Sequence, residues 1–209
     1  VLSCWCNLAD GVEGLSGLAS LMQLRELSLT AYKVPLRAQL PPSLSALAAL
    51  KTLNLTVEWR FTGDRPVHLW LPWAWCQTAT QVTSVVLNGV DLPRMEELGT
   101  TTDGSRSSNG NSNNIFPALL ELDLIFPGDP ISAPLGCCQA LQSLKVEGTC
   151  LGIAGWGAIS LLPQLRELTV CVCEVDDDAD LDEFGQPLPL PRSLSSLTCL
   201  TYVNFKNSS

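Results

Sequence analysis

The hexapeptide LRELSL at residues 24–29 is the first clear copy of an L-x-x-L-x-L pattern that recurs along the chain. Six further copies begin at Leu50, Val82, Leu119, Leu141, Leu165 and Leu200. Apolar residues alternate within each copy, which is typical of a β-strand with one buried face. Most copies are preceded by apolar residues at steps of three, as Leu15, Leu18 and Leu21 precede Leu24, and this spacing favours a short helix or 3₁₀ turn.

A unit of this kind has one apolar face, which it can bury only against neighbouring units. We therefore predict an α/β solenoid, with a curved parallel sheet on the concave face and short helices and loops on the convex face. Residues 1–209 are assigned to a single array of about seven repeats, with clear repeats over 15–209 and a partial N-terminal repeat over 1–14.

The two ends of the array look open. Leu2, Trp5 and Leu8 lie at steps of three, as in the tail of an earlier, incomplete repeat, and no closing helix follows Phe205. The end repeats of a solenoid need polar caps, so we expect flanking chain or a bound partner to cover at least one end. The chain begins with Val1 and not with methionine, so we also expect its termini to be truncated.

These repeats resemble the leucine-rich repeat family over about residues 15–209. LPPSLSALAALKTLNL at 40–55 and LPRSLSSLTCLTYVNF at 190–205 are similar to the irregular intracellular repeats of plants and green algae, and immune-receptor sensor domains contain similar repeats. In the family an inward Asn or Cys usually occupies the ninth position. That position here reads Tyr32, Glu58, Val90, Pro127, Thr149, Cys173 and Ser208. Only Cys173 fits, so we expect the side-chain ladder that satisfies the turns to be largely missing.

The composition excludes some classes of partner. Twelve basic and 21 acidic residues give a net charge of −9, which argues against binding nucleic acid or an anionic membrane surface. No stretch approaches the roughly 18 apolar residues of a membrane span, so we expect no membrane insertion. Nine cysteines are too few for a disulfide scaffold and fit reduced thiols. We therefore predict an intracellular, cytoplasmic protein.

A tryptophan-rich insert covers residues 56–81 and contains Trp59, Trp70, Trp73 and Trp75. Tryptophan is enriched at interface hot spots, so these side chains form a candidate aromatic anchor for a partner. The alternative, which we favour, is a long convex loop that folds back on its own solenoid and needs aromatic packing to do so.

Two further inserts are polar. Residues 99–114, GTTTDGSRSSNGNSNN, have almost no apolar side chains and are predicted to form a flexible loop. Residues 174–190 are rich in acid and proline, and Asp178, Asp180 and Asp182 alternate as in a calcium loop. However, Glu183 stands where that loop needs glycine and Pro189 where it needs the closing glutamate, so we predict a solvated acidic loop.

Residues for catalysis are missing from the sequence. His68 is the single histidine, and a serine or cysteine nucleophile needs a partnered base. The sequence has no C-x-x-C pair and no glycine-rich phosphate loop after a strand. We therefore predict no catalytic, cofactor-binding or metal-binding residues, no cofactor and no enzyme activity.

The side chains between the inward leucines are expected to line the concave sheet and to bind a protein partner, because the row combines a polar rim with a modest apolar centre. They are Arg25, Glu26, Ser28, Lys51, Thr52, Asn54, Thr83, Ser84, Val86, Leu120, Glu121, Asp123, Gln142, Ser143, Lys145, Arg166, Glu167, Thr169, Thr201, Tyr202 and Asn204. Alternatively, partners use the convex loops and the concave face is merely solvated.

The predicted function is a non-catalytic protein–protein interaction module or scaffold within a larger protein or assembly. One alternative is the sensor domain of an immune-receptor-like switch protein, which a neighbouring nucleotide-binding domain would favour. The other is the substrate-recognition arm of a ubiquitin ligase, which a neighbouring F-box would favour.

Overall fold

The computed structural model describes residues 1–9, 12–32, 34, 37–58, 68–92, 114–125, 135–148, 153–173 and 192–208. The strands in these ranges are β1 Leu2–Asn7, β2 Glu26–Tyr32, β3 Arg37–Gln39, β4 Thr52–Val57, β5 His68–Trp70, β6 Ser84–Asn88, β7 Glu121–Ile125, β8 Ser143–Glu147, β9 Glu167–Cys173 and β10 Tyr202–Ser208. Eight of them form one sheet in the order β1-β2-β4-β6-β7-β8-β9-β10, and β3 and β5 form a second, small sheet. All pairs are parallel, so the large sheet grows by one strand per sequence unit.

Seven strands of the large sheet coincide with the seven hexapeptides. Their fourth positions lie side by side in register, in the series Leu27, Leu53, Val85, Leu122, Leu144, Leu168 and Val203. The first six of these side chains are at most 2% exposed, as are most of the apolar residues at the sixth positions. The prediction of an α/β leucine-rich-repeat solenoid with one parallel strand per repeat is therefore confirmed.

Short helices precede most strands on the core side of the sheet. The 3₁₀ helices cover Glu13–Ser20, Pro42–Ala46, Leu135–Cys137 and Arg192–Ser196, and the α-helices are α1 Trp73–Thr78 and α2 Ile153–Ile159. The leucines at steps of three are linked by the i→i+3 bonds of such turns: the Leu47 amide donates to the Leu44 carbonyl, and the Leu50 amide to Leu47. This geometry explains why the lead-in residues recur at steps of three.

The second sheet lies outside the repeat pattern and was not predicted. Ala38 on β3 pairs with Leu69 on β5, and the Leu40 amide donates to the Trp70 carbonyl at 3.0 Å. The ladder then continues to a third unit, since the Asp91 amide donates to the Leu69 carbonyl at 2.8 Å. The first three complete repeats are therefore also joined by backbone hydrogen bonds away from the large sheet.

Backbone hydrogen bonds continue into the turns after some of the strands. Past the sixth position, the Glu58 amide still donates to the Ala31 carbonyl and the Leu8 amide to Tyr32. Gly89 and Gly148 instead end β6 and β8 with φ angles of 66° and 81°, a conformation that glycine adopts without strain. The sheet thus stays regular although the ninth positions depart from the family pattern.

The described part of the tryptophan-rich insert packs on the core side. Trp73 and Trp75 are 7% and 3% exposed, and the Trp75 ring meets Phe116 edge-on with 5.6 Å between centroids. Trp70 is half-buried. The anchor interpretation is therefore wrong for Trp73 and Trp75, which belong to the core. Trp59 lies outside the described residues, as do residues 99–113 of the polar insert and the whole acidic insert, 174–190.

The N-terminal segment forms β1, the first strand of the large sheet. Leu2 and Cys4 on β1 align with the inward Leu27 and Leu29 of β2. Trp5 aligns with Thr30 and is 69% exposed, so it points away from the core. The burial of these residues therefore alternates with a period of two, and not with the spacing of three between Leu2, Trp5 and Leu8.

Candidate binding face

The open face is defined here as the side of the eight-stranded sheet that carries the side chains pointing away from the core. It corresponds to the surface that the sequence predicts to be concave. The strand register arranges its side chains in rows that run across the strands, and this arrangement, more than any single residue, determines what the face can bind.

Three rows contain the residues predicted from the sequence. The first row consists of the residue before each strand, namely Arg25, Lys51, Thr83, Leu120, Gln142, Arg166 and Thr201. Backbone hydrogen bonds between neighbouring units extend to this row, since the Lys51 amide donates to the Arg25 carbonyl and the Thr83 amide to the Lys51 carbonyl. The second row runs Glu26, Thr52, Ser84, Glu121, Ser143, Glu167 and Tyr202, and the third runs Ser28, Asn54, Val86, Asp123, Lys145, Thr169 and Asn204. All the predicted residues except those of the first row thus lie on paired strands, and all are half-exposed or exposed.

A fourth row was missed because the hexapeptide window stops one residue too early. It runs Trp5, Thr30, Thr56, Asn88, Ile125, Glu147 and Cys171. The signal was present in the sequence, because the alternation of each strand continues for one more outward residue. The same pairing adds Ser3 of β1 to the third row.

In the third and fourth rows the side chains are small or medium-sized over β2, β4 and β6, whereas Glu26 and Tyr32 stand at the two ends of β2 on the same face. In the third and fourth rows these strands present Ser28, Thr30, Asn54, Thr56, Val86 and Asn88, none of which is charged. We call these six residues the uncharged lane. Trp5 lies at one end of the lane, and Asp123 and Ile125 of β7 lie at the other.

Charged side chains of the third and fourth rows meet on β7 and β8. Lys145 lies opposite Asp123 in the register, but its Nζ bonds Glu147 Oε2 at 2.8 Å. Burial raises the pKa of Asp123, more strongly than the Lys145 ammonium lowers it, and the carboxylates of Glu121 and Glu147 raise it further. The hydrogen bond to Glu147 raises the pKa of Lys145.

Asp123 is not part of the ion pair between Lys145 and Glu147. Within the described ranges its side chain accepts no hydrogen bond, although it is half-buried. A half-desolvated carboxylate without a protein donor is less favourable than a fully hydrated one, and a cation arriving from outside would relieve that cost.

Cysteine thiols are mostly on the core side. Cys4, Cys6, Cys76, Cys137, Cys138, Cys171 and Cys199 form no disulfide within the described ranges. Burial raises the pKa of Cys138 to about 12, so its thiolate is scarce at neutral pH. Cys171 is an exception in position, since it lies in the fourth row of the open face yet is only 6% exposed.

The described residues contain no group of three or more His, Cys, Asp and Glu side chains that could hold a metal ion. None of the helices in the same ranges is long and apolar enough to cross a membrane. The side chain of His68 lies outside the described set, although its backbone forms part of β5.

No protein-family model and no curated protein sequence matches the chain. Among solved structures it is similar to the internalin inlF of Listeria monocytogenes, with 16% identity, a TM-score of 0.43 and coverage of 93% of this chain and 51% of that one. It is also similar to internalin C2 of the same organism, with 12% identity, a TM-score of 0.34 and coverage of 95% and 92%. The chain spans about half the length of the first internalin.

Proposed function

We propose that the chain is a non-catalytic protein–protein interaction module that binds a polypeptide on its open face. The observation that carries the proposal is the continuity of that face. The side chains of the third row follow one another in register from β2 to β9, and all of them are half-exposed, with no described element packed over them. A shallow floor of this kind admits the backbone of a partner and leaves its side chains room to contact the rows.

Aromatic side chains at the two ends of the face support the proposal. Trp5 on β1 and Tyr202 on β10 are 69% and 52% exposed, and both residue types are enriched at interface hot spots. Val86, Leu120 and Ile125 supply apolar surface between them. An apolar middle with a polar surround is the usual composition of a protein interface.

The dimensions of the face suit an extended segment. Strands of a sheet are spaced by about 4.8 Å, so the seven spacings from β1 to β10 span roughly 34 Å. An extended chain rises about 3.3 Å per residue and would cross the face with about ten residues.

We further propose that the module acts within a larger protein or assembly inside the cell and catalyses no reaction itself. The single histidine of the sequence supports the lack of catalysis. The absence of disulfides among the described cysteines supports a location inside the cell. We also propose that its repeats are of the irregular intracellular type of plants and green algae, which residues 40–55 and 190–205 resemble.

A site-specific photocrosslinker tests the binding face. We would place it at Ser28 on the open face and, as the control, at Ser45, which is exposed in the 3₁₀ helix Pro42–Ala46. In an extract of the cells that produce the chain, Ser28 should yield discrete protein adducts and Ser45 should not. Adducts from Ser45 alone, or nucleic acid in place of protein, would refute the proposal.

A further inference from the structure

The uncharged lane joins two features that favour different kinds of side chain. Trp5 offers an exposed aromatic ring, and it is the only tryptophan within the described ranges that lies on the open face. Asp123, four strands away, offers a carboxylate. The large charged or aromatic side chains that would block a segment running between them are absent from the six positions of the lane.

The charges near Asp123 leave one direction of approach open. On the β8 side, Lys145 is held by Glu147. On the β6 side, the register partner of Asp123 is Val86, which is apolar and half-exposed. A basic side chain that comes along the lane therefore reaches the carboxylate over Val86, where it meets no competing cation.

The carboxylates outnumber the cation around this point. Glu121, Asp123 and Glu147 surround Lys145, so β7 and β8 present a net negative charge in the second to fourth rows. The chain as a whole carries a net charge of −9, which also favours a basic partner. An acidic segment would meet repulsion at the same place.

We propose that the open face binds an extended segment of another protein, which packs an apolar side chain on Trp5 and pairs a lysine or arginine with Asp123. The four strand spacings between β1 and β7 amount to about 19 Å, so the two side chains should be about six residues apart in an extended segment. This inference rests on the proposed function and adds the chemistry of the partner to it.

The test uses a phage-displayed library of random 12-residue peptides, selected on the immobilised 209-residue chain. Enriched peptides should combine an aromatic or aliphatic residue with a lysine or arginine about six positions away. For a synthetic copy of an enriched peptide, Trp5→Ala and Asp123→Asn should each weaken binding by about tenfold or more, as expected for a hot spot and for a charge-assisted hydrogen bond.

Matched controls lie away from the open face. Met22→Ala removes a side chain that is 62% exposed, and Glu13→Gln removes an exposed acidic charge, so both should leave the peptide affinity unchanged. Asp123→Lys should switch the selection from basic to acidic peptides, a change that a folding defect would not produce.

The results distinguish a basic, apolar segment from an acidic partner and from a second copy of the chain. Enrichment of acidic peptides, affinities that ignore Trp5→Ala and Asp123→Asn, or no enrichment at all would overturn this inference, as would self-association of the chain that Asp123→Asn abolishes. If Ser28 still crosslinks to protein in any of these cases, the proposed function stands and only the partner chemistry fails. If Ser28 also captures no protein, the proposed function fails with it.

Discussion

Asp123 lies directly opposite Lys145 across β7 and β8, yet the lysine bonds Glu147 on its own strand at 2.8 Å. The ammonium group that would normally pair with this half-buried carboxylate therefore already has Glu147 as its partner. Functional surfaces commonly retain groups that reduce the stability of the free protein. Asp123 fits this description, since the Lys145 charge only partly offsets the burial of its carboxylate, and a cation of the partner would bond it directly.

The effect of Asp123 on stability depends on pH. Because its folded-state pKa is raised above the ordinary value of 3.8, the folded chain binds its proton more tightly than the unfolded chain, and stability falls as pH rises through this range. Asp123→Asn should therefore raise the free energy of unfolding at pH 7, by at most about 1 kcal/mol because the side chain is half-exposed and water screens it. The difference should shrink as the pH falls and disappear well below 3.8, where the carboxyl is protonated in both states.

Urea unfolding of the two proteins at several pH values measures this difference. The titratable or charged groups that face Asp123 are Glu121 on its own strand and Lys145 and Glu147 on β8, whereas β6 contributes Ser84, Val86 and Asn88. A variant that is less stable than the parent at pH 7 would show that Asp123 is paired in the folded chain.

Leu144 and Lys145 are consecutive residues with opposite orientations, and they test the repeat register. Leu144 is 1% exposed, so Leu144→Ala should cost about 2–5 kcal/mol of unfolding free energy through lost burial and a cavity. Lys145→Ala removes a half-exposed side chain and its ion pair with Glu147, and should change stability by no more than about 0.5 kcal/mol. Equal shifts of the urea midpoint would contradict the register.

Gly157 in α2 offers a stabilising substitution. A Cβ at this position would meet no atom within 4 Å, so Gly157→Ala should stabilise the chain by about 0.5–1 kcal/mol through the lower entropy of the unfolded state. Gly136 is the matched control, because a Cβ there would lie 3.1 Å from Leu161 Cδ1. Thermal melting should show a smaller gain, or a loss, for Gly136→Ala.

The cysteines should be free thiols of unequal reactivity. Cys199 is exposed, whereas burial raises the pKa of Cys138 to about 12. Brief alkylation at pH 8 should modify Cys199 and leave Cys138 unmodified until the chain is unfolded. Intact mass under non-reducing conditions should show no native disulfide, including between Cys150 and Cys173, which the repeat pattern of the sequence assigns to nearly equivalent positions of neighbouring repeats. Two or more disulfides would reverse the prediction of an intracellular protein.

The inward leucines made most of the large sheet predictable from the sequence. Leu27, Leu53 and Leu122 recur at one position of the pattern, and their burial follows from the period of two. The first strand was not recognised as a copy of the pattern, because Cys4 stands opposite the inward Leu29 where the pattern has a leucine, and Cys6 stands opposite Ala31. Local apolar spacing cannot distinguish the two periods over so few residues.

Features that depend on distant pairing could not be predicted. β3 and β5 have three residues each and bond across 31 positions of sequence, so no local period marks them. The burial of Trp73 and Trp75 depends on where the insert packs, and Trp composition alone is compatible with both a core and an interface. Likewise, Asp123 stands out only after the hydrogen bond between Lys145 and Glu147 is known.

The most direct test of the open face as the binding surface compares two arginine substitutions. Thr56→Arg would place a long charged side chain in the uncharged lane, whereas Ser45→Arg would place the same side chain on the exposed 3₁₀ helix Pro42–Ala46. The affinity for the protein captured by the crosslinker at Ser28 should fall by about tenfold or more with Thr56→Arg and stay unchanged with Ser45→Arg. Loss of affinity with Ser45→Arg and not with Thr56→Arg would contradict the account.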